Sequence, residues 1–320
     1  MTKPIDFVIY WVDGDDPMHK QKRLYYQSLF KLNDDKNYEQ SMGSQRFVQK
    51  NELLYCLRSI KQFAPWYRNI FIITDNQIPS FLNSTELHKD KIKIIDHREL
   101  FKGNPEYLPT FNSRALTAQL CELEELSDGF IYGNDDFMLS APVDKSFFFR
   151  DGLPVIYADK KVESEILNKT LYYQGIMNAA RLVNRDAREF YIQSHGFVAM
   201  NKTRLQSLAR KFPMEFRNNK IYKFRHESQF LVEALYMHDC INSHQCVLFD
   251  SELMVHFSIE LCREGPLDKV RFLLDLLEQG KRKMFCLNDY QALLARMPEI
   301  EERLNIICGH PLASENKTTP

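Results

Sequence analysis

Four apolar, β-branched runs, each ending in a polar cluster that holds an aspartate, constrain this chain most strongly. Residues 4–12 (PIDFVIYWV) stop at Asp13-Gly14-Asp15-Asp16. Residues 69–74 (NIFIIT) stop at Asp75-Asn76, and residues 91–95 (KIKII) at Asp96-His97. Residues 129–132 (GFIY) lead into Asn134-Asp135-Asp136, and an apolar run resumes at residues 137–139. All four read as buried strands. Helical signals fall between them. Pro17 opens a helix reaching about residue 32, and residues 51–63 place Leu53, Leu54, Leu57, Ile60 and Phe63 at helical spacing. Residues 114–126 read as a further helix. This alternation predicts an α/β fold with a mostly parallel, doubly wound sheet. In such sheets ligands bind just outside the carboxyl ends of the strands, so the acidic strand ends should line one rim.

Beyond residue 150 the pattern changes. Residues 171–191, 202–212, 227–238, 266–279 and 289–304 read as helices, with short strands at 155–158, 247–249 and 254–257. The expected organisation is an α/β core over 1–150, a helix-rich part over 151–313 that completes the site, and a disordered polar tail over 314–320. Residues 33–43 read as a polar loop.

Composition narrows the function. Of 320 residues, 44% are hydrophobic and 27% charged, which suits a folded protein with a sizeable core. Lys plus Arg number 42 against 43 Asp plus Glu, a formal net charge of −1, so there is no global basic field for nucleic acid. Glycines number only 11, and neither G-x-G-x-x-G nor a Walker A loop occurs. A phosphorylated ligand must therefore be held by other groups. The seven cysteines show no C-x-x-C spacing, which argues against a disulfide framework or a thiolate zinc site. No signal-peptide pattern opens the sequence, and no apolar run approaches the roughly 18 residues of a membrane span. A cytosolic protein is expected, with peripheral membrane attachment left open.

Several segments could carry chemistry. Adjacent Asp135 and Asp136 can ligate Mg²⁺ or Mn²⁺, and such a cation neutralises a diphosphate; Asn and Asp also favour turns for backbone reasons. Asp13 and Thr74 stand at strand ends, where a ligand contact is expected, whereas Asp15 and Asp16 read as helix caps. Arg46, Arg58 and Arg68 flank the second helix. An arginine fork can replace a glycine-rich phosphate loop, although most arginines are solvated, and that is the expectation for Arg68. Asn112 and Ser113 precede a helix and could hold a phosphate or sugar, or simply cap it. His195, Arg225-His226 and Asn288-Asp289 are weak signals taken singly.

Together these segments resemble the Stealth family of sugar-1-phosphate transferases, which includes bacterial capsular-polysaccharide phosphotransferases and the eukaryotic enzyme that makes the mannose-6-phosphate lysosomal tag. Four separated family regions occur in order. The first is IDFVIYWVDGDD at 5–16. The second runs from SQRF at 44–47 through NELLYCLRSIKQFAPW at 51–66, RNIFIITDNQIPSFLN at 68–83 and LPTFNS at 108–113 to FIYGNDD at 130–136. The third comprises His195 with KFP at 211–213, Glu215-Phe216 and KFRH at 223–226. The fourth is FCLND at 285–289. Two departures stand out: Thr117 occupies the place of a usual acidic residue, and Gly196-Phe197 replaces a methionine-proline pair.

The resemblance implies a GT-A-like fold and transfer of a sugar-1-phosphate from a UDP-sugar to an acceptor hydroxyl of a polysaccharide, releasing UMP. It draws His195, Arg225, Asn288 and Asp289 into the site. The expected roles are His195, Asp136 and Arg225 in catalysis, with either His195 or Asp136 as the base. Asp13, Arg46, Arg58, Thr74, Asn112 and Ser113 are expected to bind substrate, and Asp135, Asp289 and Asn288 to hold Mg²⁺ or Mn²⁺. The partners implied are the donor, the polysaccharide acceptor and membrane-bound capsule machinery at the inner face of a bacterial membrane, without nucleic acid.

Overall fold

The computed structural model describes residues 3–30, 38–43, 47–167 and 170–317. Strands are numbered in chain order: β1 (Ile5–Tyr10), β2 (Ile70–Thr74), β3 (Ile92–Asp96), β4 (Gly129–Asn134), β5 (Phe137–Leu139), β6 (Phe149–Arg150), β7 (Leu153–Val162), β8 (Glu189–Gln193), β9 (Val198–Asn201), β10 (Val247–Phe249), β11 (Met254–Phe257) and β12 (Met284–Leu287). The main sheet has the order β3-β2-β1-β4-β9. Its first four strands are parallel and β9 pairs antiparallel to β4. The α/β fold with a mostly parallel sheet is therefore as expected.

Both faces of this sheet are covered, which is why β1 reads as a continuous apolar run. Phe7 and Ile9 join one core with Leu53, Leu57 and Ile60 of helix Glu52–Phe63. Val8 and Tyr10 join the opposite core with Phe71, Ile73, Leu235 and Tyr236. Alternate residues of one strand point to opposite faces, so β1 anchors both layers.

A small sheet, β11-β12-β5, positions the site. Strand β12 runs antiparallel to β5 and parallel to β11. The Asp135–Asp136 turn links β4 of the main sheet to β5 of the small one. The Leu287 backbone N–H donates to the Asp136 carbonyl at 3.0 Å, so the residues after β12 lie beside that turn.

The second half of the chain departs from its sequence reading. The helix expected over 171–191 ends at Val183, and Glu189–Gln193 is strand β8, with Phe190 fully buried. Asn184 closes the turn by accepting the Asp186 N–H at 3.1 Å. The helix expected over 227–238 begins at Val232, and the one over 289–304 breaks into Tyr290–Arg296 and Ile300–Cys308 around Pro298. Helix Ser113–Gln119 stops well short of residue 126. The second half also lends β9 to the main sheet. Of the loop read over 33–43, residues 33–37 lie outside the described residues and Tyr38–Met42 is helical.

The tail expected to be disordered from residue 314 is instead docked through Asn316. Ser314 is buried, and its N–H and hydroxyl both donate to Asp90 Oδ2, at 2.7 and 2.6 Å. Asn316 Nδ2 donates to the Ser80 carbonyl at 2.7 Å. The cause is a buried carboxylate at Asp90 that requires donors. No helix among the described residues is long and apolar enough to cross a membrane.

Candidate active site

A cavity of about 960 Å³ opens where the carboxyl ends of β1 and β4 meet the small sheet and helix Val232–Asn242. Asp135, Asp136, His195, Arg225, Asn288 and Asp289 all line it, as do Asn112 and Ser113. Residues far apart in sequence thus converge on one space.

Its acidic wall is the β4–β5 turn. Asp136 Oδ2 accepts from Asn288 Nδ2 at 3.0 Å and from the Cys286 thiol at 3.4 Å, while buried Oδ1 has no partner. Burial pushes the Asp135 carboxyl well up, and the charges of Asp136 and Glu52 add to that. Burial likewise raises Asp136. Glu52, at the start of helix Glu52–Phe63, accepts the Lys50 N–H at 2.6 Å and is pushed up to about 7 by burial, with further contributions from Asp136 and Asp289. Carboxylates crowded into a low-dielectric space raise one another's pKa until a cation relieves them.

Asp289 is in the cavity, but it is committed elsewhere. Its Oδ2 accepts from Arg263 Nε at 2.7 Å, and its Oδ1 caps helix Tyr290–Arg296 through the Ala292 N–H at 3.1 Å. Among the described residues, no group of three or more His, Cys, Asp or Glu side chains has metal-site geometry. Mg²⁺ commonly takes one or two carboxylates and keeps waters or substrate phosphates as its other ligands. Asp135 and Asp136 fit that mode, with the orphaned Asp136 Oδ1 on offer; Asn288, expected as a ligand, instead bonds His256 through its Oδ1 and donates its Nδ2 to Asp136.

The basic wall was only half legible. Arg225 Nη2 donates to Ser113 Oγ at 3.2 Å, and its buried Nε has no partner. Beside it lies Arg114, which the sequence reading had passed over. Arg114 donates to the Leu171 carbonyl at 2.5 Å and the His226 carbonyl at 3.2 Å, and its Nε is also unpartnered. Burial, then the Arg225 charge, pushes Arg114 down to about 9. Burial also lowers Arg225, against the charges of Tyr132, Glu233 and Asp136. Glu233 lines the same wall with no hydrogen bond to another described side chain; burial raises its carboxyl and the two arginines oppose that rise. Two guanidiniums with spare donors, Arg114 buried and Arg225 partly buried, against one carboxylate give a surface with the chemistry to hold an anion.

A histidine pair stands at the edge. The His195 and His256 rings stack with centroids 4.2 Å apart and planes 6° apart, and Tyr172 packs on His195 at 5.0 Å. Burial, then the His256 charge, pushes His195 down to about 4. His256 Nε2 bonds Asn288 Oδ1, which leaves the Asn288 amide nitrogen to face Asp136. His256 thereby connects the histidine to the acidic turn.

The same cavity extends to the ends of β1 to β3, where buried His19 and His97 line it with Trp11, Phe47 and Phe111. His19 Nδ1 and His97 Nε2 have no partner, and burial pushes His97 down to about 4.

The remaining expected residues are placed otherwise. Asp13 does not line the cavity; its carboxylate accepts the Asp15 N–H at 2.9 Å, and its backbone is held at both ends by Gln77. Gly14 serves close packing, since a Cβ there would fall 1.9 Å from the Phe47 carbonyl oxygen. Thr74 is fully buried outside the cavity lining, with an unpartnered hydroxyl. Asn112 is a strut that donates to the Phe224 carbonyl at 2.9 Å and accepts the Arg114 N–H. Arg58 is not a phosphate ligand: its fork holds Glu315 at 2.8 and 2.7 Å, and its third nitrogen holds Asn305 at 2.9 Å. Arg68 is paired with Asp6. Arg46 lies outside the described residues.

Residues 46–155, which contain the acidic turn, match the model for conserved region 2 of Stealth proteins. Over 295 residues the chain is 32% identical to a capsular polysaccharide phosphotransferase of Haemophilus influenzae, covering 89% of this chain and 78% of that protein. The chain belongs to the Stealth family of phosphotransferases. An exopolysaccharide phosphotransferase of Streptomyces coelicolor is 30% identical over 295 residues; this Stealth chain spans 47% of its length. A capsular polysaccharide phosphotransferase of Neisseria meningitidis is 29% identical over 299 residues, with 78% of its length covered. The galactosyltransferase LgtC, solved with donor and acceptor sugar analogues, aligns with 96% of the Stealth chain at 11% identity and a TM-score of 0.45.

Proposed function

We propose that this enzyme transfers a sugar-1-phosphate, N-acetylhexosamine-1-phosphate, from a UDP-sugar to a hydroxyl of a capsular or cell-surface polysaccharide. The product is a phosphodiester and the nucleotide released is UMP. The observation that carries this reading is the opposition of the Asp135–Asp136 turn and the Arg114–Arg225 pair within one cavity. Neither wall is neutralised from within, and a diphosphate with a divalent cation satisfies both.

The acceptor oxygen attacks the donor's β-phosphorus, a new P–O bond forms, and the bond from that phosphorus to the bridging oxygen breaks. Phosphoryl transfer rests on positioning and charge stabilisation, so the two arginines do most of the work, fixing the diphosphate and stabilising charge on the transferring group. Asp135 and Asp136, the latter oriented by Asn288, would hold Mg²⁺ or Mn²⁺, whose chemistry when bound is to neutralise the diphosphate. The acceptor proton goes to His195. Burial keeps that imidazole neutral at physiological pH, and a bound anion nearby raises its basicity. Asp136 is the less suitable base, since its Oδ2 already accepts two hydrogen bonds and its Oδ1 is the oxygen offered to a cation. The His19–His97 end of the cavity, lined by Trp11, Phe47 and Phe111, suits the uracil. Work beside membrane-bound capsule machinery, at the inner face of a bacterial membrane, belongs to the same reading.

Incubation with UDP-N-acetylhexosamine, Mg²⁺ and polysaccharide fragments tests it. UMP together with a new phosphodiester in the polymer is expected. Release of UDP would identify a glycosyltransferase instead, and binding without nucleotide release would identify a binding protein.

A further inference from the structure

Beside the cavity lies a second, shallower groove of about 750 Å³, between helices Leu171–Val183 and Pro213–Ile221. It adjoins the reacting site through the chain itself. Arg225 lines the cavity and Glu227 lines the groove, two residues on and so at most about 7 Å away. Leu171 lines the cavity and Gln174, its i+3 neighbour on the same helix face, lines the groove.

The groove is built rather than incidental. Asn178 Nδ2 donates to the Glu227 and Gln229 carbonyls, both at 2.8 Å, and its Oδ1 accepts from Gln174 Nε2 at 2.8 Å. Asn218 Nδ2 reaches the Ser228 carbonyl at 3.3 Å. These bonds occupy both N–H groups of Asn178 and Asn218 and one of Gln174, and leave the amide oxygens of Gln174 and Asn218 without a described partner. The Glu215 and Glu227 carboxylates have no described ion pair. Arg181, the cation present, is bonded to Glu163 at 2.6 Å. Met214, exposed at 66%, adds an apolar surface.

A surface that offers oxygen acceptors and no spare cation repels phosphate and matches a ligand rich in O–H donors and free of negative charge. We propose that this groove binds uncharged sugar residues of the acceptor saccharide next to the hydroxyl that reacts. The assignment rests on the phosphotransfer reading above and specifies the part of the acceptor that this surface recognises.

The test uses dephosphorylated fragments of the source cell's own surface polysaccharide, graded in length from a single sugar upward, with the full chain and its donor. In the wild type, kcat/KM should rise with acceptor length. In the Glu215→Ala/Glu227→Ala double variant, with an unchanged circular-dichroism melt, that rise should shrink by about tenfold for the longest fragment. Activity on the shortest acceptor and the donor KM should stay at wild-type values. A variant that keeps the full gain with length, or a wild type that shows none, overturns the groove assignment alone. A wild type that transfers to no fragment overturns the phosphotransfer reading and the groove with it.

Discussion

Glu52, Asp135 and Asp136 on one wall of the cavity, and Arg114 and Arg225 on the other, are displaced from their ordinary pKa values in opposite directions. The carboxyl groups go up and the guanidiniums go down. The principal cause is the same on both sides: burial penalises the charged form. Both walls line one cavity, and no hydrogen bond or ion pair among the described residues joins them. The comparison teaches that burial alone leaves opposite charges strained on two sides of the same space, which is the basis of the proposed diphosphate and cation binding. The two walls should therefore respond differently when one is altered.

The largest effect is expected on the basic wall. Arg225→Ala should cut turnover by about 10³-fold or more with the fold intact by circular dichroism, because it removes a guanidinium that stabilises the transferring group. Arg225→Lys should recover little, since a point charge does not replace the fork. Near-normal turnover in either variant would remove Arg225 from the mechanism. Arg58 sharpens the comparison as an arginine outside both walls. Arg58→Ala should cost about 3 kcal/mol in urea unfolding, by stranding buried Glu315, and leave kcat of the folded enzyme unchanged.

The next effect concerns pH. His97 is held near 4 in the fold, against 6.5 when unfolded. Between those values the unfolded chain binds a proton that the folded chain refuses, so His97 withdraws stability as pH falls from about 6.5 to about 4. The full penalty is on the order of 3 kcal/mol. The raised carboxyl groups work in the opposite sense, so the difference between chains is the cleaner readout. The His97→Gln variant should lose less stability than the wild type between pH 7 and pH 5. Parallel loss in the two chains would contradict the burial argument. The smallest effect is on the acidic wall. Asp135→Asn should stabilise the ligand-free protein at pH 8, because it removes a carboxyl whose charged form burial and the neighbouring Asp136 and Glu52 disfavour. The same change should abolish any rise in melting temperature on adding Mg²⁺. A destabilised variant that still responds to Mg²⁺ would break the account of that wall.

Asp135 and Asp136 of the acidic wall were legible because they are contiguous and follow a buried strand, a pattern that survives without tertiary information, whereas Glu52, on a separate helix, was not. Most of the main sheet was legible because β1 to β4 are dominated by apolar, mostly β-branched and aromatic residues. Strand β9 was missed because four residues are too few to show a period. Strand β8 was missed because its alternation follows a helical stretch with only Asn184 to mark the turn. The basic wall was obscured differently. Arg114 is fixed by carbonyls of Leu171 and His226, which no local spacing reveals. Arg58 looked eligible for phosphate until Glu315, 257 residues away, was seen to occupy its fork. Glu233 did carry a signal, a lone carboxylate in the apolar run LVEAL. Such a charge must be paired or functional to be worth burying.

The central claim is that the donor is attacked at phosphorus, and one isotope experiment addresses it directly. The donor is labelled with ¹⁸O at the oxygen joining the sugar's anomeric carbon to the β-phosphorus, and products are read by ³¹P NMR and mass spectrometry. Attack at phosphorus leaves that bond intact, so the label should appear in the polymer's new phosphodiester and the released UMP should carry none. Label found in released UDP would mean attack at the sugar carbon, and would contradict the account.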